Sequence, residues 1–102
     1  MYKGGIVIVP AVPKSDLELI TACLQGDQLA WDTLVDRYAE LVYAIPQSHH
    51  FSADDADLIF EKVFARLLRD LSTVRSQAQL ASWLMDVAET ECERLQIQRR
   101  LP

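Results

Sequence analysis

The sequence predicts an all-α fold: a compact domain of four helices over residues 15–100, preceded by an extended N-terminal arm. Its 102 residues have the length of a single domain, and half of them are apolar, which is enough for a modest core. From Ser15 onward the apolar residues recur at the three- and four-residue intervals of amphipathic helices. Only one short segment has the composition of a strand, so the sequence offers no sheet.

The arm, residues 1–14, contains that segment, the β-branched run Ile6, Val7, Ile8 and Val9. A lone strand has to pair, because its backbone groups cannot be buried without partners. Two interpretations stay open. The arm is an unstructured tail, or the run pairs with the same run of a second copy in a homodimer or with a partner's sheet edge.

The first helix is predicted to begin at a capping box made by Ser15 and Glu18. Its apolar face is expected to hold Leu17, Ile20 and Leu24.

Gly26 is expected to end the first helix, and Asp27 is expected to cap the second. Pro46 disfavours helical geometry at Ile45, so the second helix is expected to end or kink there. The predicted apolar stripe of this helix consists of Trp31, Leu34, Val35, Tyr38, Leu41, Val42 and Ile45.

The third helix is predicted to start at the cap formed by Ser52 and Asp55 and to run to about Leu71, with a polar break over residues 72–77. The fourth helix ends at Arg99 and Arg100, whose charges suit a helix C-terminus. The expected buried face of the third helix is Ala56, Ile59, Phe60, Val63, Phe64, Leu67 and Leu71. That of the fourth is Leu80, Trp83, Leu84, Val87, Ala88 and Leu95.

Composition narrows the class of function. Ten Lys and Arg against fifteen Asp and Glu give a net charge of −5, so the chain as a whole lacks the basic footprint of a general nucleic-acid binder. No apolar run approaches the length of a membrane span, and Cys23 and Cys92 are predicted to be buried free thiols, so a cytoplasmic protein is expected.

The sequence holds no phosphate loop and no metal-ligand spacing. A cluster of His49, His50 and the nearby aspartates is better explained as a loop followed by an acidic helix N-terminus. We therefore expect no enzyme, no cofactor and no metal.

The order of several short motifs resembles region two of bacterial sigma-70 family factors, closest to the extracytoplasmic-function group. The first half contributes Asp16–Ile20, Gly26-Asp27, Ala30-Trp31, Leu34–Tyr38 and Leu41–Tyr43. The second half contributes Ala56-Asp57, Val63-Phe64, Arg66-Leu67, Ala81–Leu84 and Val87-Ala88. The resemblance covers about residues 16–100 and corresponds to one domain of such factors, which also carry a domain that reads the −35 element.

This resemblance implies a helical domain that docks on the clamp of core RNA polymerase and opens the promoter −10 element. The third helix would face polymerase with Asp57, Leu58, Glu61 and Lys62. The loop before the fourth helix and the exposed face of that helix would contact the −10 strand. The residues expected to do so are Arg69, Arg75, Ser76, Gln77, Arg94, Arg99 and Arg100.

The chain departs from the family pattern both at the surface expected to face polymerase and at the surface expected to face DNA. Leu58, Glu61 and Lys62 stand where the family usually has Asp, Gln and Glu. The face of the fourth helix that is expected to be exposed carries Asp86, Glu89, Thr90, Glu91 and Glu93, with Arg94 as the one cation before Arg99. Such a face repels a phosphate backbone. The alternative is therefore a sigma-like domain that has lost promoter DNA and binds proteins, as a partner of an anti-sigma factor, a module that sequesters polymerase or a homo-oligomerisation unit.

Overall fold

A computed structural model describes residues 14–75 and 80–101 of the chain. These residues form five helices: α1 (Asp16–Leu24), α2 (Gln28–Ser48), α3 (Ala53–Arg69), α4 (Leu71–Val74) and α5 (Leu80–Arg100). The described ranges contain no strand, which confirms the all-α prediction. The run Ile6–Val9 lies outside the described residues, so its pairing stays a prediction.

The core lies where α2 meets the other long helices. α2 packs against α1, α3 and α5, and α3 also packs against α5. The apolar stripes predicted for α2, α3 and α5 turn inward, as expected from their helical spacing, except that Leu41 of α2 is only partly buried and lies outside the core. The side chains with no exposed surface are Leu34, Val63, Leu67, Leu84, Ala88 and Cys92. Both cysteines are free thiols, as predicted, but only Cys92 is buried, and Cys23 is partly exposed. Burial raises the pKa of Cys92 to about 11.

The predicted helix starts are confirmed by their hydrogen bonds. Ser15 Oγ accepts from the Glu18 amide at 3.1 Å, and the Glu18 carboxylate accepts from the Ser15 amide at 2.8 Å, so the capping box is complete. Asp27 caps α2, and Ser52 caps α3 by accepting from the Asp55 amide at 3.2 Å. These bonds satisfy amides that would otherwise lack partners in the first turns.

The predicted apolar face of α1 is wrong at two positions. Leu17 and Leu24 are 55% and 41% exposed, whereas Leu19 and Ile20 are buried. The buried face of α1 follows the spacing of Leu19, Ile20 and Cys23, which is an equally regular helical pattern. Packing against α2 therefore decided between two apolar stripes that the sequence left nearly equal.

Of the two alternatives predicted at Ile45, an end or a kink of the second helix, the end is wrong, because α2 continues through Pro46 to Ser48. Pro46 lies in the last turn of α2, where the missing amide removes a single backbone hydrogen bond. Its ring is buried in the core, and its carbonyl accepts from the amides of His49 and Phe51. Burial of the ring and these two hydrogen bonds outweigh the tendency of Pro46 to disfavour helical geometry at Ile45.

The described residues contain one helix more than the four predicted. α3 ends at Arg69, before the predicted end at Leu71, and α4 occupies part of the stretch predicted as a polar break. Leu71 and Val74 are buried and hold this single turn against the core. Two apolar residues among polar neighbours are too few to give a periodic signal, which is why the sequence predicted a loop.

Tyr38 and Arg37 fasten α2 to α1 through one carboxylate. The Tyr38 hydroxyl donates to Asp16 Oδ2, and Arg37 Nη1 lies 3.0 Å from Asp16 Oδ1. Partial burial and the bond to Asp16 raise the pKa of Tyr38 to about 12.

We expect this tyrosine to make stability fall at high pH. Folding favours the neutral phenol, so its contribution is complete below the ordinary tyrosine pKa of about 10 and is lost as pH rises to about 12. Urea unfolding at pH 8, 10, 11 and 12 should show a steeper decline for the wild type than for Tyr38→Phe. Parallel declines in the two proteins would contradict the assignment. In a pH titration followed by tyrosinate absorbance, the wild type should show a transition near pH 12 that Tyr38→Phe lacks.

Candidate functional site

Four exposed residues of α3 form an outward strip. Leu58, Glu61, Ala65 and Leu68 are all exposed, and Leu68 is 56% so. We call these four residues the α3 strip. They alternate at intervals of three and four residues, which is the seven-residue period with which one helix packs along another. The strip is therefore an unpartnered helix surface with large apolar side chains near both ends.

A groove rich in cations runs between α3 and α5. Lys62, Arg66 and Arg69 line it from α3, and Arg94 lines it from α5. Ala65 and Glu91 complete this basic groove, an open depression of the surface with a volume of about 640 Å³. Four of the ten Lys and Arg residues of an acidic chain thus lie in one place.

Glu91 forms the floor of the basic groove, and here the prediction of an exposed Glu91 is wrong. The residue is 8% exposed because it follows Leu84 and Val87 at helical spacing, in register with the core stripe of α5. Its Oε2 accepts from Arg94 Nη1 at 3.3 Å and lies 4.0 Å from Arg66 Nη1. The two guanidinium groups compensate a carboxylate that would otherwise be costly to bury.

Arg66 keeps unused hydrogen-bonding capacity. Its Nε is buried and has no hydrogen-bond partner, although Asp70 Oδ2 lies at 3.9 Å, within ion-pair range. Arg69 is held differently, because its Nε donates to Asp70 Oδ1 at 3.1 Å. The two carboxylates around the groove, Glu91 and Asp70, therefore offset only part of the charge of its four cations.

A smaller recess adjoins the basic groove and shares its wall. It has a volume of about 180 Å³ and is lined by Leu58, Ile59, Leu95 and Gln98 together with Lys62, Glu91 and Arg94, so polar groups make up more of its surface than apolar ones. We call it the recess.

The structure places the four residues predicted to face polymerase on different surfaces. Glu61 lies on the α3 strip, and Leu58 lies on both the strip and the recess. Lys62 turns towards α5 and lines both cavities. Asp57 accepts a hydrogen bond from the Tyr43 hydroxyl at 2.8 Å, which raises the pKa of Tyr43. Asp57 thus has a partner on α2.

The cations predicted to contact DNA are not gathered on one face. Arg69 and Arg94 line the basic groove, whereas Arg75 follows α4 and Arg100 is exposed at the end of α5. Both terminal nitrogens of Arg99 lie 2.6 Å from the Asp55 carboxylate, and this bidentate pair lowers the pKa of Asp55. Ser76 and Gln77 lie outside the described residues.

The outward face of α5 is acidic, in agreement with the sequence, although only three carboxylates remain on it. Asp86, Glu89 and Glu93 are exposed. Glu89 also lies 2.6 Å from His49 Nε2 and so ties the end of α2 to α5. We call these three residues the acidic face.

The sequence did not identify Arg66, Ala65, Leu68 or Glu91 as site residues. The spacing of Lys62, Arg66 and Arg69 puts these cations on one flank of a helix and could have indicated a basic edge. No sequence spacing places Arg94 opposite these three cations, because Arg94 lies in another helix. Within residues 14–75 and 80–101, no group of three His, Cys, Asp or Glu side chains could hold a metal ion. None of the helices described is long and apolar enough to span a membrane.

Comparison with known proteins gives one distant similarity to report. No family model and no solved structure matches the chain. The chain is 27% identical over 79 residues to the ECF RNA polymerase sigma factor SigM of Mycobacterium tuberculosis. The match covers 78% of this chain and 40% of the relative, so the chain spans about two fifths of that protein's length. The all-α fold and this similarity together support a distant relationship to the sigma-70 family.

Proposed function

We propose that the domain acts in transcription as a sigma-like module that docks on the clamp of core RNA polymerase. The observation that carries the proposal is the α3 strip, with its exposed Leu58 and Leu68. The strip lies on the helix that contacts polymerase in the family the sequence resembles. The similarity to an RNA polymerase sigma factor supports the same partner.

The dimensions of the α3 strip suit a helical partner. Leu58 and Leu68 are ten residues apart, which separates them by about 15 Å along the helix axis. Burying a fully exposed leucine contributes about 1.5–3 kcal/mol. Leu58 and Leu68 are 38% and 56% exposed, so each would contribute roughly half of that, and together they can act as anchors of an interface. Glu61, between them, favours a partner that offers a cation at the centre of the contact.

The docking proposal is tested by binding to core polymerase. We expect Leu68→Glu to weaken the affinity at least tenfold in biolayer interferometry, because it places a charge where an apolar side chain would be buried. Leu29→Glu is the matched control, since Leu29 is 76% exposed on α2 and lies outside the strip. Equal affinities for Leu68→Glu and Leu29→Glu would remove the α3 strip as the docking surface.

A second candidate function is favoured by the acidic face. Asp86, Glu89 and Glu93 would repel the phosphates of a −10 strand laid along α5. This favours a protein-interaction module that keeps polymerase or an anti-sigma factor as its partner and has lost promoter DNA. In the first proposal, promoter contact would instead depend on Arg75 and the residues that follow it.

Titrating the polymerase-bound domain with a single-stranded −10 oligonucleotide over a salt series separates the two candidates. Salt-dependent binding that is weakened by Arg75→Gln supports promoter contact, because each phosphate contact releases counterions. Tight docking without any such binding supports the protein-interaction module. Polymerase without the domain serves as the baseline.

A further inference from the structure

The C-terminal end of α5 exposes two large apolar side chains. Ile97 is 57% exposed, and Leu101, which directly follows the last residue of α5, is 66% exposed. The two residues are four apart, so their side chains lie next to each other on one face of the helix. This face points away from α2 and α3, because the core residues of α5, among them Leu84 and Ala88, lie on the opposite side. Adjoining exposed apolar side chains with a polar rim are a common mark of protein–protein surfaces.

These two side chains belong to a longer line along α5. Thr90, Arg94, Ile97 and Leu101 follow one another at intervals of four, three and four residues, and we call these four residues the α5 seam. Such intervals are those at which one helix packs along another in a coiled coil. The α5 seam is about 16 Å long, which suits a single helix as its partner.

Glu93 and Arg100 lie beside the α5 seam, on the same side of it. They are seven residues apart, which separates them by about 10 Å along the axis, too far for an ion pair with each other. Neither forms an ion pair with any residue that the structure describes, whereas the neighbouring Arg99 is held by Asp55. The seam is therefore flanked by one acid and one base that are both available to a partner.

The positions of these two charges favour a second copy of the chain as that partner. With two α5 helices packed antiparallel, Glu93 of each copy faces Arg100 of the other, so one patch supplies both halves of two ion pairs. In a parallel pair, Glu93 would instead face the uncharged Gln98. Charges that flank a coiled-coil seam set the choice of partner and the orientation of the helices.

The remaining acids of α5 do not oppose this arrangement. In the antiparallel pair, the α5 helix of each copy ends level with Thr90 of the other, so Asp86 lies beyond that end. Two-fold dimers are built from a patch that is complementary to itself, and this patch has an apolar centre between opposite charges. We propose that the chain forms an antiparallel homodimer through the α5 seam, with the two Ile97 side chains next to the two-fold axis.

Sedimentation velocity of the whole chain, from micromolar to millimolar concentration, tests the proposal. We expect a reversible monomer–dimer equilibrium with a dissociation constant of about 10 µM to 1 mM, because so short a seam makes a small interface. Ile97→Glu should weaken the dimer at least tenfold, since it brings two charges together at the centre of the seam. Leu29→Glu is the matched control and should dimerise like the wild type, because Leu29 is exposed on α2.

Exchanging the flanking charges tests the antiparallel orientation. Glu93→Arg and Arg100→Glu should each weaken the dimer several-fold, because each change places like charges opposite one another. The double variant Glu93→Arg/Arg100→Glu should restore the dimer, since it recreates both ion pairs with their signs exchanged. A double variant no stronger than the single variants would overturn the antiparallel pairing.

Two further results would overturn the α5 seam itself as the dimer surface. One is a wild-type chain that stays monomeric up to millimolar concentration, and the other is an Ile97→Glu variant that dimerises like the wild type. Ile8→Asp separates this surface from the N-terminal run Ile6–Val9, because loss of the dimer in that variant would assign dimerisation to the arm instead. Circular dichroism should show unchanged helix content in every variant. No polymerase is present in these measurements, so their outcome is independent of the docking proposal.

Discussion

Replacing Leu84 with alanine is expected to lower the free energy of unfolding by about 2–5 kcal/mol. Leu84 has no exposed surface and lies in the core, where α5 packs against α2 and α3. Removing most of its side chain forfeits the transfer free energy of the lost methyl groups and leaves a cavity that close-packed neighbours fill only in part. A domain of this size has about 5–15 kcal/mol in total, so this one change removes much of its stability.

Urea unfolding followed by circular dichroism measures this loss. The melting temperature should fall by about 8–40 °C, because 1 kcal/mol corresponds to about 4–8 °C in domains of this size. Leu29→Ala is the matched control and should change stability by less than about 0.5 kcal/mol, since Leu29 is largely exposed. A loss below about 1 kcal/mol in Leu84→Ala would show that α5 is not packed into the core as described.

Most of the fold could be predicted because its main signals are local. The caps at Ser15, Asp27 and Ser52 lie three residues before the amides that they bind, so four consecutive residues are enough to predict each helix start. The stripes of α2 and α3 are long enough for their periodicity to be unambiguous.

The errors occur where packing outweighs a local preference. Pro46 stays helical because its ring is buried, and α4 exists because Leu71 and Val74 reach the core. The face of α1 was decided by contact with α2, between stripes that include Leu17 or Leu19. In each case the deciding partner lies in a distant part of the sequence.

The candidate site was less predictable than the fold, for the same reason. The sequence predicts different partners for Lys62 and Arg94, polymerase for the first and the −10 strand for the second, because they lie in different helices. Only the antiparallel packing of α3 on α5 brings them to one groove. The net charge of −5 therefore gives no indication of this local cluster of positive charge, because most of the acidic residues lie outside the groove.

Changing Glu91 to glutamine is expected to lower the free energy of unfolding by about 1–3 kcal/mol. The carboxylate is nearly buried between Arg66 and Arg94, and its removal leaves two guanidinium groups side by side without their shared counter-charge. The expected cost lies below the 3–5 kcal/mol of a fully buried pair because Arg94 remains largely in solvent.

Glu93→Gln provides the matched control, since Glu93 is exposed two residues further along the same helix and should change stability by less than about 0.5 kcal/mol. The double variant Arg66→Met/Glu91→Leu should recover most of the loss, because replacing both charges with apolar side chains leaves neither one uncompensated. Urea unfolding of the four proteins at pH 7 measures these differences. If Glu91→Gln and Glu93→Gln were equally stable, the carboxylate at the floor of the groove would not be holding the two arginines in place.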